Sequence, residues 1–342
     1  MLCAVGNYFE LLNFCEVSMA ETVNIGSMAE IISKDIFTHF GWSMWGPRNE
    51  NYPCVEDNHN RKTHPADVVF SYQEPYEDKI THILCDLKSY SKESIRAQEI
   101  KKGIENLNES LTCARKSIEW NENYVFTNKP INIKGMLFIY NHDNNYDNDF
   151  FELFKKATEK INIDKGNIIS VIGPKKISYL TNICANIERL RGKKELPDQE
   201  FCGFFYPEQP IRNIYHDPAR LPLTIEQIGG SFHIYRYSEA KETNMISGLD
   251  VYMEDKENEF ENFQHLFDYL RKYNCLQSVN KVRIFIPFSS ESTRNNFEKA
   301  LKIYEQTVDE VFAQKLSPLI KYEHMHTLVP QFFSKEIGLR NE

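Results

Sequence analysis

The order of apolar and polar residues predicts alternating helices and strands from residue 26 onwards. Apolar side chains at Met28, Ile32, Ile36 and Phe40 recur at helical spacing, and Gly41 ends this predicted helix. The stretch 46–65 is polar and rich in proline and asparagine, which predicts a loop. Residues 1–25 have no comparable periodicity, and we assign them no role.

Two short β-forming runs follow, at 68–70 and 80–87, and the charged, proline-containing segment between them predicts a hairpin. A long helix is predicted over 91–120, because its apolar side chains are spaced by four and three residues. The nearly continuous apolar run 135–140 is typical of a strand that is covered on both faces.

The rest of the chain continues this alternation. Further helices are predicted at 149–160 and 177–190 and further strands at 168–172, 232–237, 249–253 and 282–286. Two more helices flank the last strand, one with apolar residues from Phe260 to Leu270 and one with apolar residues from Phe297 to Val311. The segment 192–203 reads as a soft boundary, so we expect one domain over 26–195 and a second, smaller α/β domain over 200–342. The predicted fold class is therefore α/β.

Composition limits the class of protein. The 342 residues carry a net charge of −9, and no apolar run reaches the ~20 residues of a membrane span. Acidic residues in the first 21 positions argue against a secretory signal, so we expect a cytoplasmic protein that does not contact membranes. The eight cysteines show no CxxC spacing, which predicts neither a zinc site nor a disulfide framework.

The candidate chemistry lies on the predicted hairpin. Asp67 begins one strand, and Asp86 and Lys88 end the other, two residues apart and so on one face. If the strands are antiparallel neighbours, Asp67 comes close to this pair. Two adjacent carboxylates favour a hard divalent cation such as Mg²⁺, and a lysine beside them can orient or deprotonate water and stabilise charge on phosphorus. This combination is typical of phosphodiester hydrolysis.

These residues resemble the PD-(D/E)XK nuclease superfamily, although Ala66 separates Pro65 from Asp67. The resemblance implies a restriction-endonuclease-like αβββαβ core over about 26–190. It also implies Mg²⁺ as cofactor, with Mn²⁺ able to substitute. Asp67, Asp86 and Lys88 would then be catalytic, Glu30 would join the two aspartates as a metal ligand, and Gln98 would be an auxiliary residue.

The resemblance further implies a deoxyribonuclease, acting in bacterial restriction or anti-phage defence. A homo-oligomer or an activating partner protein would complete its binding surface, and the second domain would serve partner binding, sensing or oligomerisation. Two alternatives stay open: a catalytically inactive scaffold subunit with the same fold, and an RNA-directed nuclease with the same site.

Phosphate contacts require cations, and the sequence offers three basic clusters. They are Arg61 with Lys62, Lys175 with Lys176, and the run Arg189, Arg191, Lys193 and Lys194. Each cluster can equally be a solvated surface. Glu30 can equally belong to a capping box with Ser27, and Gln98 can be an ordinary surface residue. His59 and His64 read as solvated loop residues.

Overall fold

The computed structural model describes residues 27–207, 220–240, 245–254, 259–277, 279–287 and 290–328. The predicted N-terminal segment 1–25 and the end of the second domain, 329–342, lie outside these residues. The described part is a mixed α/β protein with two five-stranded sheets and a separate two-stranded hairpin, which confirms the predicted fold class.

The first sheet contains the predicted hairpin. Its strands are β1 (Ser43–Met44), β4 (Val68–Gln73), β5 (Ile80–Tyr90), β6 (Ile131–Asn141) and β7 (Ile169–Ile172), in the spatial order β1-β4-β5-β6-β7. β4 pairs antiparallel with β5, whereas β5, β6 and β7 are parallel. Strand β6 has a long apolar run because helices cover both faces of the sheet.

Helices lie on both faces of this sheet. Helix α1 includes residues 27–39, and with α5 (Pro174–Gly192) it packs on one face. Helices α2 (Ala97–Ala114), α3 (Ile118–Tyr124) and α4 (Phe150–Thr158) contribute to the core on the other face. The helix predicted over 91–120 is thus two helices, since Ser117 caps the second by accepting from the Trp120 amide.

The prediction of a continuous loop over 46–65 is wrong, because two strands lie within this stretch. Strands β2 (Glu50–Pro53) and β3 (Thr63–Ala66) form an antiparallel hairpin there. His64, which we expected to be solvated, is completely buried on β3. The sequence hides this hairpin because Pro53 and Pro65 lie within its strands, and proline is normally confined to sheet edges.

The second sheet is formed by the second half of the chain. Its strands are β8 (Cys202–Phe204), β9 (Phe232–Ala240), β10 (Met245–Met253), β11 (Lys281–Ile286) and β12 (Ile320–His324). Its helices are α6 (Ile225–Ile228), α7 (Phe260–Lys272), α8 (Glu291–Glu305) and α9 (Glu310–Leu319). The order β8-β9-β10-β11-β12 combines two antiparallel and then two parallel pairings, which is the same pattern as in the first sheet.

One apolar cluster connects the two sheets. It extends from α1 and α5 to residues of β8, β9 and β11, such as Phe204, Tyr235 and Phe285. The indole Nε1 of Trp42 donates to the carbonyl of Leu223 at 2.7 Å, which adds a polar contact between the halves. Within the described residues, every helix is too short or too polar to cross a membrane.

Candidate active site

Asp67 and Asp86 lie opposite each other at one end of the β4–β5 pair. Val68 pairs with Cys85, so extending the antiparallel register by one residue places Asp67 opposite Asp86. Asp67 occupies the bend between β3 and β4, at the point where the chain passes from the hairpin into the sheet. The expected antiparallel neighbourhood of the two strands is therefore present.

Hydrogen bonds fix both carboxylates. The backbone N–H of Leu87 donates to Asp67 Oδ2 at 2.8 Å, and Lys88 Nζ lies 2.5 Å from Asp86 Oδ1. The side chains of Asp86 and Lys88 are 17% and 34% exposed, so the pair is recessed but open to a ligand. This exposure is what a catalytic group requires, because a fully buried pair could not reach substrate.

The ionisation of these groups reflects their mutual proximity. Burial raises the pKa of Asp67, and the neighbouring Asp86 carboxylate raises it further, against the opposing effect of the Leu87 amide and Lys88. Burial lowers the pKa of Lys88, but Asp86 and Asp67 outweigh it, so the pKa rises and the side chain stays an ammonium. Lys88 is thus a proton donor and a positive charge in this arrangement.

This donor set fits a divalent cation. Asp67 is destabilised as an anion by burial and by Asp86, and a bound cation would relieve both effects. Carboxylate oxygens are the ligands that Mg²⁺ and Mn²⁺ use in proteins. Asp67 and Asp86 are therefore the residues that could hold a metal ion here.

Glu30 and Gln98 have different surroundings. The carboxylate of Glu30, on α1, forms an ion pair with the guanidinium of Arg48 and is 20% exposed. Gln98 is exposed in the first turn of α2. The roles of both residues at the site stay predictions.

Two residues that sequence reasoning missed, Tyr90 and Glu99, are linked electrostatically to the site. Tyr90 is on the same face of β5, and its pKa is raised by burial and by the charges of Glu99 and Asp86, while Lys88 opposes the rise. Glu99, in the first turn of α2, is near enough to raise the pKa of Tyr90. The alternation that pairs Asp86 with Lys88 continues to Tyr90 and could have identified it.

The basic clusters are distributed over several surfaces. Arg61 is held by Glu109 at 2.9 Å and by Asn106 at 2.7 Å, whereas Lys62 is exposed. Lys176 forms an ion pair with Glu254, and exposed Lys175 donates to the Asp147 carbonyl at 3.1 Å.

The remaining basic residues, from Arg189 to Lys194, lie at the other end of α5. Arg189 donates to Asn186 Oδ1 at 2.8 Å, and Lys193 and Lys194 are exposed. The 19 residues of α5 span about 28 Å at 1.5 Å per residue, so this run is far from Lys175. Strand β7 is parallel to β5, and α5 begins directly after β7. Lys175, in the first turn of α5, therefore lies at the same end of the sheet as Tyr90, the last residue of β5.

The second sheet has no open equivalent at the same place in its topology. β10 occupies the position of β5 and carries Asp250, but both carboxylate oxygens of Asp250 accept from Arg283 of β11 at 2.7 Å. Both side chains are 0% exposed. A carboxylate that is sealed and neutralised in this way supports the fold and does not reach substrate.

Comparison with known proteins agrees with this geometry. Residues 19–176 match the profile of the family described as "GAPS4 protein PD-(D/E)XK nuclease domain". A search of curated proteins produced no match. The matched segment contains Glu30, Asp67, Asp86, Lys88 and Gln98 and ends at Lys176.

Proposed function

Because residues 19–176 belong to the PD-(D/E)XK nuclease superfamily, we propose that this protein is a Mg²⁺-dependent nuclease that hydrolyses phosphodiester bonds in DNA. The observation that carries the proposal is the juxtaposition of Asp67, Asp86 and Lys88 at one end of the β4–β5 pair. Nucleases of this superfamily typically use divalent metal ions.

The residues divide the chemical work among them. Asp67 and Asp86 would hold the metal ion, which would polarise the phosphate and lower the pKa of bound water. Lys88 presents its ammonium beside Asp86 and stabilises the negative charge that develops on the phosphate oxygens. Hydrolysis consumes one water and breaks one P–O bond, which leaves a phosphomonoester and a hydroxyl group.

The geometry favours approach of the nucleic acid from the carboxyl edge of β5, β6 and β7. Lys175 and Lys176 begin α5 at this edge, so they are the basic residues best placed for phosphate contacts. The run from Arg189 to Lys194 begins about 21 Å from Lys175 along α5 and would contact a more distant part of a long duplex. DNA is the substrate that the resemblance to restriction endonucleases favours.

A net charge of −9 makes tight binding by this chain alone unfavourable, because nucleic-acid affinity depends on phosphate neutralisation. We therefore propose that a second copy of the chain or a partner protein completes the binding surface. A role in defence against phage DNA is consistent with a nuclease that is kept weak until it is activated. This role would be tested by counting plaques on cells with wild-type protein and with the Asp86→Asn variant.

The direct test is cleavage of plasmid DNA, single-stranded DNA and RNA by the full chain with Mg²⁺, Mn²⁺ or neither metal. We expect metal-dependent cleavage of DNA by the wild type and none by Asp86→Asn. Lys88→Met, which keeps the side-chain length but removes the charge, should cut ~10²–10³-fold more slowly, the usual effect of losing one transition-state charge partner. Glu30→Gln tests the third predicted ligand by its effect on the Mg²⁺ concentration needed for half-maximal rate.

A matched control separates these effects from general loss of charge. Asp268 and Arg271 form an exposed ion pair at 3.0 Å on α7, so the double variant Asp268→Asn/Arg271→Met should cut at the wild-type rate. If the wild type cuts RNA faster than either form of DNA, the substrate in this proposal would be RNA and not DNA. Asp86 and Lys88 lie beside Asp67, as catalysis requires. A folded wild type that binds DNA but cuts no substrate with either metal would nevertheless favour the function of an inactive scaffold subunit.

A further inference from the structure

Four metal-binding side chains meet on the β2–β3 hairpin, in a cluster separate from Asp67 and Asp86. Cys54 follows β2, His59 lies in the loop, His64 is on β3, and Cys113 is near the end of α2. One ligand atom from each of the four lies within 4.8 Å of those from the other three. These four side chains, all within the described residues, are therefore close enough together to share one metal ion, although the sequence has no CxxC motif here.

The three distances among Cys54, His59 and Cys113 match those of a tetrahedral metal centre. The two sulfurs are 3.7 Å apart, and His59 Nδ1 lies 3.5 Å from Cys54 Sγ and 3.4 Å from Cys113 Sγ. A tetrahedral zinc ion with Zn–S near 2.3 Å and Zn–N near 2.0–2.1 Å separates two sulfurs by about 3.8 Å and a sulfur from a nitrogen by about 3.6 Å. We propose that Cys54, His59, His64 and Cys113 bind a structural zinc ion.

His64 supplies a second, independent observation. Its ring is 0% exposed, and its Nδ1 contacts the Ser110 hydroxyl at 3.3 Å. Its Nε2 is buried and has no hydrogen-bond partner within the described residues. A buried polar atom without a partner is costly, and coordination of a metal removes this cost. Ser110 then acts as the outer partner that orients a metal-bound histidine.

The ligand types select the metal. Two thiolates and two imidazoles suit Zn²⁺, whereas Mg²⁺ requires oxygen ligands. Four protein ligands complete the tetrahedron and leave no position for water or substrate, which makes this a structural and not a catalytic site.

The zinc ion would fasten the hairpin to the helix. β2 and β3 form a sheet of only two strands, and such a hairpin is marginally stable without further support. Cys113 lies 59 residues from Cys54 in sequence, so coordination ties the hairpin to α2. Because β3 continues directly into Asp67, this connection also fixes the chain that enters the proposed active site.

The test measures the metal content of the full chain after expression in zinc-supplemented medium. We expect one equivalent of zinc in the wild type and in Asp67→Asn, and none in Cys54→Ser or His59→Gln. Replacement by Co²⁺ should give the visible spectrum of a tetrahedral thiolate site in the wild type. Ser110→Ala should weaken zinc binding by roughly 10–100-fold, as removal of an outer partner does. The zinc readout does not depend on nuclease activity.

Two variants serve as matched controls. Cys202 donates to the carbonyls of Pro197 and Asp198, which a serine can also do, and His326 is exposed, so Cys202→Ser and His326→Gln should keep their zinc. Should a cluster variant fail to fold, the wild-type metal content and Co²⁺ spectrum still decide the matter. Wild type without zinc and without a thiolate Co²⁺ spectrum would overturn the proposal, as would a Cys54–Cys113 disulfide found by mass spectrometry.

Discussion

The neighbouring carboxylates of Asp67 and Asp86 lower the stability of the metal-free protein and at the same time provide ligands for a cation. The two carboxylates are opposite each other in the strand register, and burial and mutual repulsion raise the pKa of Asp67. The Lys88 ammonium, 2.5 Å from Asp86 Oδ1, neutralises part of this negative charge. The backbone N–H of Leu87 stabilises the Asp67 carboxylate by donating a hydrogen bond to it. What remains is an excess of negative charge, which destabilises the metal-free fold and provides affinity for a cation.

We expect Asp67→Asn to be more stable than the wild type in magnesium-free buffer at pH 7. The amide oxygen can keep the Leu87 hydrogen bond while the charge disappears. Because the folded pKa of Asp67 is raised above the unfolded value of about 3.9, wild-type stability falls as pH rises through the folded pKa. The difference in Tm between variant and wild type should therefore be near zero below about pH 4 and reach about 2 °C or more at neutral pH.

Thermal unfolding followed by circular dichroism measures this difference. Addition of Mg²⁺ should raise the Tm of the wild type and leave that of the variant almost unchanged, because the cation has lost a ligand. Asp149→Asn is a control at an exposed helix cap, where asparagine caps as well as aspartate. A wild type that exceeds Asp67→Asn in Tm at pH 7 without metal would contradict this account of the site.

Helix α2 packs closely on strand β6, next to β5, which carries Asp86 and Lys88. A Cβ atom built on Gly135 of β6 would come within 2.9–3.0 Å of the Leu107 and Leu111 side chains of α2. Likewise, a Cβ on Gly103 would lie 2.9 Å from Leu137. These two glycines let the helix approach the sheet, and α2 in turn carries Glu99 at its start and Cys113 near its end.

Gly135→Ala should therefore reduce the free energy of unfolding by about 1–3 kcal/mol, the usual cost of overpacking a filled core. Urea unfolding of variant and wild type measures the difference. Gly192→Ala is the matched control, because nothing lies within 4 Å of its added Cβ at the end of α5. The control should be neutral or gain about 0.4–1 kcal/mol from reduced backbone entropy. Equal stability of Gly135→Ala and wild type would show that α2 can move away from the sheet at little cost.

At the scale of the whole molecule, the two sheets share one continuous apolar cluster. Arg283 of β11 adds a polar link, because it pairs with Asp250 inside the second sheet and with Glu195, in the segment after α5, at 2.8 Å. Removal of one partner from a buried pair leaves an uncompensated charge. We therefore expect a change in the second sheet to affect the stability of the first.

Arg283→Met should lower the free energy of unfolding by about 3–5 kcal/mol. All three tryptophans, Trp42, Trp45 and Trp120, belong to the first half, so their fluorescence reports on the first sheet and, through Trp42, on its contact with the second half. The urea midpoint read by this fluorescence should fall together with the midpoint read by circular dichroism. Arg294→Met, which removes an exposed pair with Glu298 at 3.9 Å, should change neither midpoint appreciably. An unchanged fluorescence midpoint in Arg283→Met would mean that the two sheets unfold independently.

The sequence alone determined the elements with strong periodicity and the short-range geometry of the site. The apolar spacing of α2 and α7 and the continuous run of β6 identify those elements, because burial of one face requires such patterns. The placement of Asp86 and Lys88 on one face of β5 follows from strand alternation, and the antiparallel pairing with β4 confirmed that Asp67 is their neighbour.

Only the tertiary structure decided the contacts between residues that are far apart in sequence. Glu30 is paired with Arg48 across a turn that no pattern reveals, and the Cys54–Cys113 contact joins residues 59 positions apart. The hairpin formed by β2 and β3 was missed because its prolines and polar side chains resemble a loop, and packing against α2 and α3 outweighs that local preference. Local preference is set by neighbours in the chain, whereas these contacts depend on how helices and sheets pack, which a single sequence does not encode in any short pattern.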